Sequence, residues 1–570
     1  MMAKLFPLLG TLRGYRRGDL GADLVAGLTT GVMLVPQAMA YAMLAGLPPV
    51  MGLYASVAPL VLYALLGTAR ELAVGPVAMD SLLVAAGVGV MAASGSDRYL
   101  ELAILLALMV GTVEVVLGLL RGGFLVNFLS APVVAGFTSA AALIIGLNQL
   151  GHLLGMPLSR STHVHQILVE AAGKLGEVNP VTAAIGLSSV AALLLMRRFS
   201  PRLPRALIVV GVATLLTVAF GLEQHGVAIV GEIPRGLPSP RLALPSWDDL
   251  SALFPTALAI ALVGFMEAIS VAKAYALRRG YELDPNRELV ALGAANLGAG
   301  LFGGYPVTGG FSRTAVNAQA GARTQLAALV TASFVALVLL FLTPLLTSIP
   351  KAVLAAIIMA AVFGLIDVAE ARRLWRVKRG DLALMGLTFL ATLAVGIQEG
   401  LAIGVGASLL TFIVRSTRPH WAVLGRVPGT ESYRNLARHR DLVTTEGVLV
   451  LRIDAQLYFG NVSFLKDTVR RLVADHPGVQ ALVLDASSIN QLDSSAETAL
   501  STLADELRDA GIDLHLAHVK GPVLDVMERS GLVEKLGRDH LHESVHDAVQ
   551  AAAREEGGAS EPNLRKRSLA

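Results

Sequence analysis

Apolar runs about twenty residues long recur through the first two thirds of this chain, and they limit what it can fold into. The stretch QLAALVTASFVALVLLFLTPLL at 325–346 carries no charge, and YLELAILLALMVGTVEVVLGLL at 99–120 carries only acids, Glu101 and Glu114. A helix needs roughly twenty residues to cross about 30 Å of hydrocarbon, so lipid is the solvent for most of the molecule. A hydrophobic fraction of 54% and a mean hydropathy of +0.63 exceed what a water-soluble protein carries. Between residues 21 and 417, apolar stretches broken by Gly, Pro and charge give about fourteen spans or half-spans. The expected fold class is therefore a polytopic α-helical membrane protein, followed by a small α/β domain.

Composition removes several function classes. There is no cysteine, which excludes a thiolate nucleophile or thiolate metal site. The net charge of +3 is small and the basic residues lie in interhelical loops, against a nucleic-acid partner. No GxxxxGK[ST] loop and no paired acid–base or nucleophile constellation is visible, so neither ATP-driven transport nor an enzyme is expected, and no cofactor or metal is implied. Residues 1–20 are basic without a signal cleavage site and read as a cytoplasmic lead-in. With that end inside, Arg70, Arg121, the run Arg197, Arg198, Arg202, Arg205, then Arg278, Arg279, Arg287, Arg323 and the run Arg372 to Arg379 fall in inward loops. That positive-inside pattern places both termini in the cytoplasm of a cell with this protein in its inner (plasma) membrane.

From about Glu446 the pattern changes to short β-branched runs alternating with amphipathic stretches, GVLVLRIDAQLYF, SFLKDTVRRLVADH, VQALVLDASSI, SSAETALSTLADELRDAG and DLHLAHV. The order β-α-β-α-β with apolar strands predicts a parallel sheet covered by helices over 446–553. Residues 418–445, polar and broken by Pro and Gly, are expected to be a linker, and 554–570 a disordered tail.

Two membrane segments cannot be continuous helices. GTARELAVGPVAMDSLL (67–83) and LFGGYPVTGGFSRTAVNAQAG (301–321) put Gly and Pro where lipid penalises unpaired backbone. They fall third and tenth among the spans, at matching places in two halves of seven. An odd number of spans per half inverts the second half, and paired broken helices then point to a midplane binding site. Half-helices beginning after Pro76 and near Gly310 would aim free N–H groups and positive dipole ends at the break, a cradle for an anion. Arg313 adds full charge about one turn in, and Ser312 and Thr314 add hydroxyls.

In FPTALAIALVGFMEAISVAKAYAL (254–277) the only acid is Glu267, mid-span, where a carboxyl group must be protonated, paired or facing water. A group that loads and releases a proton as the site opens to each side would couple transport to H+; a structural partnership with Arg313 or Lys273 is the alternative. Asp80 and Glu114 are weaker versions of the same signal. In the first span, Gln37 and Tyr41 share a face one turn apart and could line a cavity.

Taken together, VPQAMAYAMLAGLPPVMGLYAS (35–56), ELAVGP (71–76), GYELDPNRELVALGAANLGAGLFGGYPVTGGFSRTAVN (280–317) and the pattern with Asp493, Ser494 and Ser495 resemble the SulP (sulfate permease) family, bacterial relatives of the solute carrier 26 anion transporters, with a C-terminal STAS domain. The resemblance covers nearly the whole chain. It implies two inverted seven-helix repeats split into a core and a gate domain, a homodimer, and elevator-like alternating access. It implies an anion pocket of Gln37, Tyr41, Val77, Ala78, Phe311, Ser312 and Arg313, with Val77 standing where some relatives have an aromatic. Glu267 matches a position that looks proton-linked in family symporters; sodium-linked bicarbonate relatives have Asp there and a hydroxyl one turn on, where this chain has Val271. The expectation is proton-coupled symport of sulfate, a related oxyanion or a C4-dicarboxylate; sodium-coupled bicarbonate transport, anion exchange and a channel are the alternatives. In the C-terminal domain Ser494 and Ser495 begin a helix, where a hydroxyl can cap free N–H groups; the resemblance to anti-sigma-factor antagonists makes either serine a possible regulatory phosphorylation site.

Overall fold

The computed structural model describes residues 7–8, 15, 17–124, 130–159, 161, 163–199, 205–240, 246–556 and 564–566. Arg202, most of the expected lead-in 1–20 and most of the tail from 557 lie outside the described residues. Two compact units divide the chain, Met1–Ser408 and Leu409–Ala570.

The helices of the first unit include α1 (Arg17–Leu44), α2 (Pro49–Tyr54), α3 (Ala58–Leu66), α4 (Ala78–Gly89), α5 (Asp97–Leu119), α6 (Ala131–Asn148), α7 (Pro180–Phe199), α8 (Arg205–Ala219), α9 (Trp247–Arg279), α10 (Pro285–Leu301), α11 (Phe311–Gln319), α12 (Leu326–Leu337), α13 (Lys351–Val362), α14 (Arg379–Ala394) and α15 (Ile397–Thr417), with shorter ones between them. Two-residue strands precede the short helices, β1 (Val74–Gly75) before α4 and β2 (Thr308–Gly309) before α11. Among the described residues 8 helical segments are long and apolar enough to cross a membrane. The division between the two units falls within α15, whose last residue is Thr417.

Packing joins helices from the two halves of the membrane segment. Helix α5 lies along α10, α3 against α10, α1 against α12, and α9 against α4 and α5. Helix α6 packs on α14 and α7 on α13, and α13 in turn lies against α1. The α5–α10 contact is backbone to backbone: a Cβ on Gly111 would stand 2.6 Å from the Gly293 carbonyl, and one on Gly293 2.7 Å from that of Gly111. Lipid tails are as apolar as leucine, so close approach through small residues is what holds such helices together.

Buried carboxylates fix the approaches to the two breaks. Glu288 on α10 accepts from the Tyr63 hydroxyl at 2.6 Å and from the N–H groups of Thr68 at 2.6 Å and Ala69 at 3.1 Å. Asp23 on α1 accepts from the N–H groups of Arg323 at 2.7 Å and Thr324 at 3.1 Å. Peptide groups that leave a helix inside a membrane must find partners in the protein, and these acids supply them.

The second unit is a mixed sheet between helices. Its strands are β3 (Trp421–Arg426), β4 (Tyr433–Asn435), β5 (Val443–Thr445), β6 (Val448–Ile453), β7 (Ala481–Asp485), β8 (Asp513–Ala517) and β9 (Leu541–His542). Strands β6 to β9 run parallel, as the alternating β and α pattern predicts, and β3 pairs antiparallel with β6. Leu449, Leu451, Leu482, Leu484, Leu514 and Leu516 face α16 (Val462–Asp475) and α17 (Ser494–Asp509). The other face carries Val448, Val450 and Val483 against Val545, Ala548 and Val549 of a terminal helix, Val545–Glu556.

The expected linker 418–445 is instead part of this sheet, since β3, β4 and β5 all lie within it. Pro419, Pro428 and Gly429 bound β3 rather than mark a gap, and Ala422 and Leu424 on β3 are buried. In the tail, 564–566 pair antiparallel with β5, where disorder was expected.

A histidine cluster sits at one edge. His515 on β8 is fully buried, stacks on His540 with ring centroids 4.4 Å apart, and meets His542 with Nδ1 and Nε2 3.1 Å apart. Burial, then the neighbouring His540 and His542, pushes its imidazole down to about 4. His515 is thus neutral in the fold, while in the unfolded chain it takes a proton below about 6.5. Its stabilisation is complete above that value and is lost as pH falls from there towards 4, which amounts to about 2 kcal/mol between pH 7 and pH 5. Hydrogen exchange of β7 and β8 in the full-length protein should accelerate over that interval, and His515→Gln should flatten the dependence.

Candidate anion-binding site

Strands β1 and β2 cross antiparallel, Val74 opposite Gly309 and Gly75 opposite Thr308. Gly75 has φ of +153°, a conformation other residues rarely adopt, and a Cβ on Gly309 would stand 2.6 Å from Leu72. Helices α4 and α11 start directly after the crossing, with Val77 and Gly310 as their N-cap residues and no side-chain cap on either. Both N-termini therefore present their first N–H groups, and the positive ends of their dipoles, beside the crossing.

The crossing is stitched from the second half back to the first. Gly310 N–H donates to the Ala73 carbonyl at 3.1 Å, and Ala73 N–H donates to Thr314 Oγ1 at 3.1 Å. Asn317 Nδ2 donates to the Glu71 carbonyl at 2.9 Å and its Oδ1 accepts from the Thr30 hydroxyl at 3.3 Å. Arg313, only 1% exposed, donates from Nη1 to the Pro76 carbonyl at 2.6 Å. Its Nε and Nη2 have no hydrogen-bond partner among the described residues. A buried guanidinium with two unused donors is costly unless something anionic completes it.

Of the residues expected to form the pocket, Gln37, Tyr41, Val77, Ala78 and Arg313 are all buried. Gln37 and Tyr41 lie one turn apart on α1, and Tyr41 lies within electrostatic reach of both Arg313 and Glu267. Glu267 on α9 is half-buried, within electrostatic reach of both Arg313 and Asp80. Phe311 and Ser312, by contrast, have exposed side chains at the start of α11. Lys273, the alternative partner of Glu267, is exposed.

Other members of the site escaped the sequence reading. Tyr305 shares a hydrogen bond with Ser81 at 3.2 Å, and Asn296 on α10 donates to Glu114 at 2.8 Å while closing on both polar groups of Val307. Thr308 donates to the Gly264 carbonyl at 2.7 Å, tying β2 to α9. Their signal lay within GGYPVTGG, whose Tyr and Thr stand out among glycines, and in Asn296 as a lone amide in an apolar span. Among the described residues no group of three or more metal-ligating side chains is found.

In the second unit the expected hydroxyl cap is corrected. Asp493 is the N-cap of α17: its Oδ1 accepts from Ala496 N–H at 2.8 Å and its Oδ2 from Phe459 N–H at 2.9 Å. A carboxylate can accept both bonds at once and complements the helix dipole, which leaves Ser494 and Ser495 exposed in the first turn.

Residues 20–388 match the Sulfate permease family model, and residues 439–548 match that of the STAS domain. The chain belongs to the sulfate permease family. It is 41% identical to the Arabidopsis thaliana protein described as "Sulfate transporter 4.1, chloroplastic", over 96% of this chain and 82% of that one. It is 39% identical to a probable sulfate transporter of Mycobacterium tuberculosis, over 95% of this chain and 97% of the relative. Among solved structures, the murine solute carrier 26 family member A9 anion transporter in its inward-facing state superposes with a TM-score of 0.89 at 27% identity, over 96% of this chain and 94% of that one. The transmembrane domain of a cyanobacterial bicarbonate transporter gives 0.61 at 28% identity, over 69% of this chain and 99% of that one. The protein is thus a multi-pass anion transporter with a STAS domain, and not an enzyme.

Gly310 limits the Arg313 geometry. A Cβ there would stand 2.8 Å from Nη2, while the φ of −90° suits any residue. Gly310→Ala should therefore fold normally and displace the guanidinium, raising the KM for anion uptake by about ten- to a hundredfold. Thermal stability equal to wild type together with that KM change, measured on the same preparation, checks both halves of the expectation.

Proposed function

We propose that this protein is a proton-coupled symporter of sulfate or a closely related oxyanion, working by elevator-like alternating access as a homodimer in the inner membrane with both termini cytoplasmic. The observation that carries this reading is the buried guanidinium of Arg313, tethered by one nitrogen to the Pro76 carbonyl beside two uncapped half-helix N-termini, with two donors left over. Such an arrangement recognises tetrahedral oxyanions through several N–H donors at once. The relatives named as sulfate transporters support sulfate over other anions, and the small Val77 supports a pocket that differs from those with an aromatic there.

Coupling is assigned to Glu267. It is the half-buried carboxylate facing Arg313, and a carboxyl group crosses a low-dielectric interior at far lower cost when neutral. Sodium is less well supplied, because the position one turn on is Val271, fully buried and without an oxygen.

Uptake of labelled sulfate into proteoliposomes under an imposed pH gradient tests the whole reading, with fumarate, succinate, bicarbonate and chloride as competitors. Accumulation against the sulfate gradient is expected, and a competitor that outruns sulfate would replace it as substrate. Arg313→Ala should weaken sulfate binding by about ten- to a hundredfold. Glu267→Gln should bind sulfate but accumulate less of it under the same pH gradient; full accumulation by that variant would remove Glu267 from the coupling role.

A further inference from the structure

Asp80 stands in the first turn of α4, the half-helix whose N-terminus faces the crossing. It is fully buried, and neither carboxylate oxygen has a hydrogen-bond partner among the described residues. Helix α9 forms its wall: a methyl group at Gly264 would stand 3.2 Å from Oδ2 and 3.3 Å from the Thr308 side chain. The titratable groups around it are Glu267 from α9, Glu114 from α5 and Tyr305 from the segment before β2. Of these, Glu114 is engaged by Asn296 and Tyr305 by Ser81, while Glu267 is a like charge. Arg313 acts on Glu267, Tyr41 and Tyr305. Asp80 thus has a dry, anionic neighbourhood and one favourable feature, the positive end of α4.

That same dipole end is half of the proposed anion cradle. An ionised Asp80 and an anion at the crossing would compete for it and repel each other across a few ångströms of low-dielectric protein. Two ligands that disfavour each other are linked reciprocally, so anion binding raises the affinity of Asp80 for a proton, and departure of the anion lowers it.

We propose that Asp80 is a second proton carrier, so that each divalent anion crosses with one proton on Glu267 and one on Asp80. This rests on the proton-symport reading given above. The proton reaches a carboxylate oxygen of Asp80 from whichever aqueous side the site faces, and returns to water on the other side once the anion has left. Only an O–H bond forms and breaks, and sulfate with two protons crosses without net charge. The N–H groups of α4 then alternate between the anion and the Asp80 carboxylate, and are never left to both.

The test combines two measurements on the full-length protein. In proteoliposomes with the membrane potential clamped at zero by valinomycin and equal potassium on both sides, the pH gradient that just balances a known sulfate gradient gives the number of protons per sulfate; in detergent, the sulfate Kd is followed against pH. Wild type should carry two protons, and Asp80→Asn and Glu267→Gln one each. Every proton removed should take about tenfold per pH unit from the alkaline slope of the Kd. Asp80→Ser repeats the measurement should the amide fold poorly, and Glu267→Gln alone is informative, because its Kd should keep the slope of a single proton. A Glu267→Gln protein whose Kd is flat with pH, or an Asp80→Asn protein that still moves two protons, overturns the role of Asp80 and leaves proton symport standing. Wild-type uptake that follows sodium and ignores pH overturns both.

Discussion

Everything in the membrane unit depends on the short antiparallel contact between Val74–Gly75 and Thr308–Gly309. Backbone in the middle of a bilayer must be satisfied by protein, and here each break in one half is satisfied by the break in the other. Gly310, Thr314 and Asn317 engage the main chain from Glu71 to Ala73, and Arg313 closes on Pro76. The free N–H groups that remain belong to the two half-helix starts, so the requirement that stabilises the crossing also leaves an anion-seeking surface beside it. Structure and recognition share one set of peptide groups.

Around this contact the helices behave as a scaffold of fixed spacing. Gly111 and Gly293 let α5 and α10 touch through main chain, and α10 carries Glu288 and Asn296, which hold the segments entering β1 and β2. A shift of α10 would therefore move both arms of the crossing together. Helices α6 with α14 and α7 with α13 are likewise paired across the two halves, and α13 reaches α1 as well.

Much of this was legible in the sequence, and what was not has a physical reason. Span length and the Gly–Pro interruptions located the membrane helices and both breaks, because hydrocarbon thickness and backbone satisfaction act locally along the chain. Arg313 and Glu267 stood out because charge in lipid is rare. Partners joined only by the fold did not: Glu288 with Tyr63, Asp23 with Thr324 and Tyr305 with Ser81 lie far apart in sequence. The strands within 418–445 were hidden for a related reason, since β3 borrows its stability from pairing with β6 rather than from a long apolar run. At α17 the cap expected of Ser494 or Ser495 falls one residue earlier, on Asp493, whose second oxygen takes the N–H of Phe459, a residue distant in sequence.

The long reach of the crossing bears on how the protein is made. The carbonyls of Glu71, Ala73 and Pro76 acquire their partners from residues 310–317, and the tether from Arg313 to Pro76 joins positions 237 residues apart. During synthesis the first seven-span half reaches the membrane with these peptide groups open, and it stays so until α11 emerges. That nascent half cannot be a finished module awaiting a copy of itself. It must be sheltered, by the insertion machinery or by water drawn into the break, and a ribosome stalled before residue 308 would leave a chain inserted but unable to close.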